Sequence, residues 1–144
     1  MGERGPDRLA QAYHAALYRI DTPAPILLKI GAAHPELTTL ARALQQPAWG
    51  AFLSASNPRS RILRPAANDR RLKALQRALK QAGHAWVPGR GLDPTGEWPD
   101  EPSLWIPGLP QPAARALALR FGQNAFVWCD EHTVAHLVWT APMP

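Results

Sequence analysis

Trp49-Gly50-Ala51-Phe52-Leu53-Ser54-Ala55-Ser56-Asn57-Pro58-Arg59-Ser60 is the stretch whose reading decides the fold. Trp49 to Ser54 is a short apolar run with the length and bulk of a buried strand. It stops abruptly at polar residues and a proline, and a basic helical pattern begins within ten residues. From Ala66 to Ala82, Leu72, Leu75 and Leu79 make one apolar stripe, and Gly83 supplies a C-terminal stop. Strand, turn and helix in that order put the turn at a strand end, where open α/β folds bind their ligands.

Upstream, Leu9, Ala12, Tyr13 and Ala16 recur at helical spacing within Asp7 to Leu17. Ile26 to Ile30, closed by Gly31, reads as a strand. Pro35 suits the first turn of a helix through Leu37, Leu40, Ala41 and Leu44, ending before Pro47. Downstream, His84 to Val87 reads as a short strand and Gly89 to Pro102 as one long surface loop. Ser103 to Ile106 is a further strand, and Pro112 to Phe121 a helix closed by Gly122. Ala125 to Cys129 and Thr133 to Trp139 form a hairpin around Asp130-Glu131-His132. Helices alternate with strands early and strands pair locally late. The expectation is a single domain over 1–144, α/β or α+β in class, with helices packed on a mixed β-sheet.

Composition bounds the function. The chain has 144 residues, of which 46% are hydrophobic, enough for one proper core. No apolar run approaches the roughly 18 residues of a membrane span, and Met1-Gly2-Glu3-Arg4 lacks the apolar block of a signal peptide. A cytoplasmic protein with no membrane partner is expected. The single cysteine, Cys129, rules out an internal disulfide and the usual zinc frameworks; its apolar neighbours predict a buried, inert thiol. Phosphate-binding loops, dinucleotide fingerprints and nucleophile elbows are all missing, and the sequence leaves any cofactor unknown.

Charge is segregated within a net of +5. Between Arg59 and Lys80, eight bases stand against Asp69 alone, whereas six acids stand against two bases from Asp93 onward. Either the two segments pair within the fold, or the basic one attracts anions.

Several residues could carry chemistry. Proline holds the preceding Asn57 extended, so that its amide points out of the strand end, with Ser60 in the same turn. Asn68 either caps the next helix or faces the same cleft, and Arg71, one turn on, offers a forked donor to phosphate or carboxylate. Glu101 lies between Trp98 and Trp105, where desolvation would raise its pKa toward general acid/base use. Asp93, Glu97 and Asp100 are oxygen donors near one another but lack the spacing of a metal loop. Gln123 and Asn124 follow Gly122 at a strand mouth, where their amides could meet a base or sugar. His132 and His136 are four apart but fall on a hairpin and strand, so no metal site is assigned.

Taken in order, Tyr13, an apolar strand, Ser56-Asn57-Pro58-Arg59-Ser60, Asn68 with Leu72 and Leu75, a glycine-rich loop, Trp98, Glu101 with Ser103, and Phe121-Gly122-Gln123-Asn124-Ala125 resemble a bacterial family, domain of unknown function 3293. The resemblance spans about Ala12 to Leu137; Pro102 departs from its pattern. It implies domain boundaries and carries no activity.

Three functions fit. The first is a small enzyme or binding domain for an anionic, phosphorylated or nucleotide-like molecule. Arg71 with Arg59 or Arg70 would hold the anion, Asn57 and Gln123 would orient the ligand, and Glu101 would act as acid/base. The second is a nucleic-acid-binding module using the basic segment 59–80, with Arg70, Lys73, Arg77 and Lys80 tracking phosphates. The third is a noncatalytic domain that binds a protein partner through its tryptophans and basic helix.

Overall fold

Along the apolar run, side chains alternate between two faces of a sheet, and both faces are buried. Ala51 and Leu53 pack on one side and Phe52 on the other. The structure, a computed structural model, describes residues 5–140, with side chains from residue 8. Met1 to Arg4, where a signal-like block was sought, lie outside the described residues.

The elements are α1 (Gly5–Ala15), β1 (Leu17–Ile20), β2 (Ile26–Leu28), α2 (Glu36–Leu44), β3 (Gly50–Ser54), α3 (Pro65–Gln81), β4 (Val87–Leu92), β5 (Glu101–Pro107), α4 (Gln111–Arg120), β6 (Ala125–Cys129) and β7 (Ala135–Trp139). Seven strands form one sheet in the order β2-β1-β4-β5-β3-β6-β7, and each neighbouring pair is antiparallel. The class is therefore α+β. Its sequence alternates like an α/β protein for a topological reason. α3 joins β3 to β4 and α4 joins β5 to β6, strands that run the same way but have one opposed strand between them.

One face of the sheet carries Leu104, Ile106 and Phe126 against Leu75 and Leu79 of α3 and Ala114 and Ala118 of α4. The opposite face carries Tyr18, Ile20, Trp105 and Val127 against Leu37 of α2. Cys129 is fully buried there, and burial, helped by Asp130, pushes its thiol up to about 12. Its burial is as expected. No helix among the described residues is long and apolar enough to cross a membrane.

Two elements depart from the sequence reading. Leu17 to Ile20 is a strand where only the end of a helix was expected; four residues bearing one arginine are too few for periodicity to register. The expected loop from Gly89 to Pro102 is sheet at both ends. β4 runs through Pro88, Gly89 and Gly91, β5 starts at Glu101, and only 93–100 remain irregular. Gly89 serves close packing and not turning. A Cβ on Gly89 would lie 2.3 Å from the Arg19 carbonyl oxygen and 2.9 Å from the Phe52 ring.

This contrast is testable within one strand. Gly89→Ala should lose about 1–3 kcal/mol of stability, the usual cost of overpacking. Gly91→Ala should change it by no more than about 0.5 kcal/mol, because its Cβ would make only ordinary contacts, the nearest at 3.9 Å. Urea unfolding of the two variants measures both.

Candidate functional site

The chain leaves β3 through a turn that uses left-handed backbone three times in four residues: Asn57 (φ 49°), Arg59 (φ 55°) and Ser60 (φ 61°). An extended Asn57 was expected before Pro58. Proline disfavours right-handed helical geometry at the residue before it, but asparagine enters the left-handed region more readily than other non-glycine residues. Side-chain bonds hold it there. Asn57 Oδ1 accepts from the Leu63 N–H at 2.9 Å and from Asn68 Nδ2 at 2.8 Å, while its own backbone N–H donates to Asn68 Oδ1 at 2.9 Å. Since the Leu63 N–H can only donate, the amide is oriented without ambiguity, with Nδ2 toward Glu101. That nitrogen donates to Glu101 Oε2 at 2.8 Å. Asn68 is thus not the cap: α3 starts at Pro65, and Asn68 braces Asn57.

A second set of bonds clamps the turn to the start of β6. The Arg59 N–H donates to the Gly122 carbonyl at 2.7 Å, Gln123 Nε2 to the Ser56 carbonyl at 2.9 Å, and Asn124 Nδ2 to Ser60 Oγ at 3.0 Å. Gly122 (φ 69°) is required by contact as well as conformation, since a Cβ there would lie 2.7 Å from Pro58 Cβ. Arg71 completes the clamp. Its Nε donates to the Ala55 carbonyl at 2.6 Å and a terminal nitrogen to the Phe121 carbonyl. The fork expected to grip an anion is engaged by backbone.

Beside this turn lies a cleft of about 110 Å³. Tyr18, Gly91 and Glu101 sit in register on three adjacent strands and form its floor, the bare glycine leaving a gap between ring and carboxylate. Leu9, Ala12 and Tyr13 of α1 and Trp98 of the 93–100 loop wall it, and Asn57, Ser60, Gln123 and Asn124 reach it from the clamp. Asp93 is the other acid at the rim, and no lysine or arginine lines it.

Burial raises the Glu101 pKa, against the lowering effect of the Asn57 hydrogen bond. Burial also pushes Tyr13 up to about 12, with the nearby Glu101 carboxylate adding, and raises Tyr18, whose hydroxyl donates to the Tyr13 carbonyl at 2.7 Å. Both phenols are neutral hydrogen-bonding groups at pH 7. Asp93 behaves differently: the Thr95 hydroxyl, foremost, and backbone N–H groups of Thr95 and Trp98 hold its pKa down, so it staples its own loop. Among the described residues no three histidine, cysteine or acidic side chains stand close enough to hold a metal ion. His136 instead meets Asp130 at 2.6 Å, which lowers the Asp130 pKa.

The structure thus brings Asn57, Ser60, Glu101 and Gln123 together and leaves Arg71 and Asn68 behind them as braces. Arg70, Lys73, Arg77 and Lys80 share the exposed outer face of α3, away from the Leu75 and Leu79 stripe. Sequence reasoning missed Tyr18 and Gly91. Glycines two apart at 89 and 91 were the available signal, since that spacing fits a strand with one face stripped of side chains.

Fold and cleft together define an α+β domain with a carboxylate-floored, aromatic-walled site at a strand end. The chain belongs to the family described as "Protein of unknown function (DUF3293)", whose model matches residues 53–126, just over half of it. That interval holds both halves of the clamp and Glu101, while the α1 and β1 side of the cleft lies outside it. No curated protein and no solved structure matches the chain.

Asn57→Ala should cost about 1–3 kcal/mol by orphaning the Leu63 N–H and the Asn68 amide. Asn57→Gly should recover only the backbone part of that loss, and urea unfolding separates the two. Glu101→Gln keeps an oxygen for Asn57 but has no charge to bury. Because the folded-state pKa of Glu101 is raised, its protonated form favours folding, and the parent protein loses stability as pH rises from the ordinary carboxylate range through that pKa. Unfolding curves from pH 4 to 8 should show Glu101→Gln level with the parent at the acid end and gaining on it toward pH 8.

Proposed function

We propose that the cleft binds a nucleoside-like small molecule, a ring with a hydrogen-bonding edge that is uncharged where it is enclosed. The observation that carries this reading is Glu101: a carboxylate with raised pKa, held by a fixed amide, at the floor of an aromatic cleft. Its Oε2 accepts from Asn57, and Oε1 has no hydrogen-bond partner among the described residues. Oε1 can therefore accept an N–H or O–H of the ligand, or take up and return its proton as a general base. Ser60 Oγ accepts from Asn124, which turns its hydroxyl proton toward other partners and makes it a ready donor.

Size and charge narrow the ligand. The volume of about 110 Å³ falls short of the ~150 Å³ that encloses benzene, so the hydrogen-bonding edge of one ring enters and the remainder stays at the mouth. Two acids and no base favour a neutral or cationic inserted part over a phosphate. Any phosphate would sit outside the cleft.

A thermal-shift screen with free nucleobases, nucleosides and their phosphates tests this. A ligand at 100 times its dissociation constant adds about 2.7 kcal/mol. Uncharged nucleosides should raise the melting temperature, and Gly91→Val, which fills the floor, should remove the shift. Stabilisation by phosphates alone, unchanged in Gly91→Val, would overturn the reading.

A further inference from the structure

We infer that the ligand of this cleft is one nucleotide of a single-stranded nucleic acid, its base inserted at Glu101 and its flanking phosphates held by Arg59, Arg61 and Arg64. The inference rests on the cleft reading above and follows from where the cations stand.

The segment that lines the cleft also carries the positive charge. Asn57 and Ser60 face the cleft, while Arg59, between them, and Arg61 and Arg64, just beyond, are exposed. None of the three makes a side-chain hydrogen bond or ion pair among the described residues. Among the described residues no ion pair joins the basic segment to the acids from Asp93 onward; the pair it makes there is internal, Lys73 with Asp69 at 3.1 Å. The two segments therefore do not neutralise each other.

Arg59 is held at φ 55° and ψ 32° although its side chain packs against no core. Strain of this kind persists where the surroundings over-determine it, commonly at ligand-binding positions. Here it turns a cation outward between two cleft residues. Ile62, 64% exposed, sits between Arg61 and Arg64, and Trp98, 41% exposed, stands at the rim. Trp98 offers a ring on which a base can stack, and Ile62 offers apolar contact. From there Arg70, Lys73, Arg77 and Lys80 continue the charge along α3, over about 15 Å at the helical rise.

The pattern is one of uncharged recognition inside and cations outside. It matches a strand whose backbone is anionic and whose bases are neutral, and the inserted base must be unstacked, which favours single strands. An acidic protein segment fits less well, because its carboxylates would approach Glu101 and Asp93.

The test is fluorescence anisotropy with labelled single-stranded DNA and RNA 12-mers, each beside an abasic counterpart, at 50 and 200 mM salt. Polyglutamate serves as competitor. Binding should weaken with salt, and the triple variant Arg59→Gln, Arg61→Gln, Arg64→Gln should flatten the log–log salt slope by about 2. Gly91→Val and, as a second variant at an exposed position, Trp98→Ala should each weaken binding of intact strands about tenfold, the scale of one lost stacking contact, and leave abasic strands unaffected. Strands bound no more tightly than free nucleosides would overturn the inference and leave the cleft reading standing. Equal binding of intact and abasic strands, indifferent to Gly91→Val, would overturn it in favour of the basic face alone. Displacement by polyglutamate as effective as by unlabelled strand would overturn it in favour of an acidic protein.

Discussion

The side-chain amide of Asn57 is the point on which the site depends. One group links the Leu63 backbone, the Asn68 amide on α3 and the Glu101 carboxylate at the start of β5. Two partners donate to its oxygen and the third accepts from its nitrogen, so the site needs an amide of this length. An aspartate lacks the donor for Glu101; a glutamine would have to reach across an extra methylene. The left-handed backbone of the turn is tolerable because these bonds offset its cost. The carboxylate, in turn, keeps one oxygen for the cleft because the other is taken.

The clamp around this amide explains why two separated motifs act as one. Ser56 to Ser60 and Phe121 to Asn124 are far apart in the chain, yet β3 and β6 are neighbours, so their ends meet at one edge of the sheet. Arg71, Gln123 and Gly122 then satisfy buried carbonyls or permit close approach. A buried carbonyl left without a donor costs about 1–3 kcal/mol, and three such groups cluster here. Arg71 is therefore a positioning residue. Its charge does not reach the ligand space, which leaves the cleft acidic while cations populate the surface around it.

Much of this was legible beforehand. Periodicity and turn residues located α2, α3, α4, β3, β5, β6 and β7 to within a few residues, because each hides an apolar stripe or run of adequate length. Asn57 and Gln123 stand out in the sequence by their places at strand ends, and Glu101 by its tryptophan neighbours. Arg71 was misjudged because a cation on a basic helix looks alike whether it faces water or carbonyls. Gly89 to Gly91 reads as loop because glycine signals turns in isolation, whereas Gly89 is demanded by the Arg19 backbone and the Phe52 ring.

By itself the sequence determined what local pattern can determine: the helices and longer strands, the buried cysteine, the strand-end turn and the segregation of charge. Hydrophobic period, chain stiffness at proline and the bare count of charges all act over a few residues. Tertiary structure alone decided the antiparallel order of the strands, the gap at Gly91, the bracing role of Arg71 and Asn68, and the raised pKa of Glu101. Those properties are set by partners distant in the chain, 44 residues in the case of Asn57 and Glu101. Hydrogen-bond geometry and desolvation are functions of position in space, and position in space exists only once the sheet has formed.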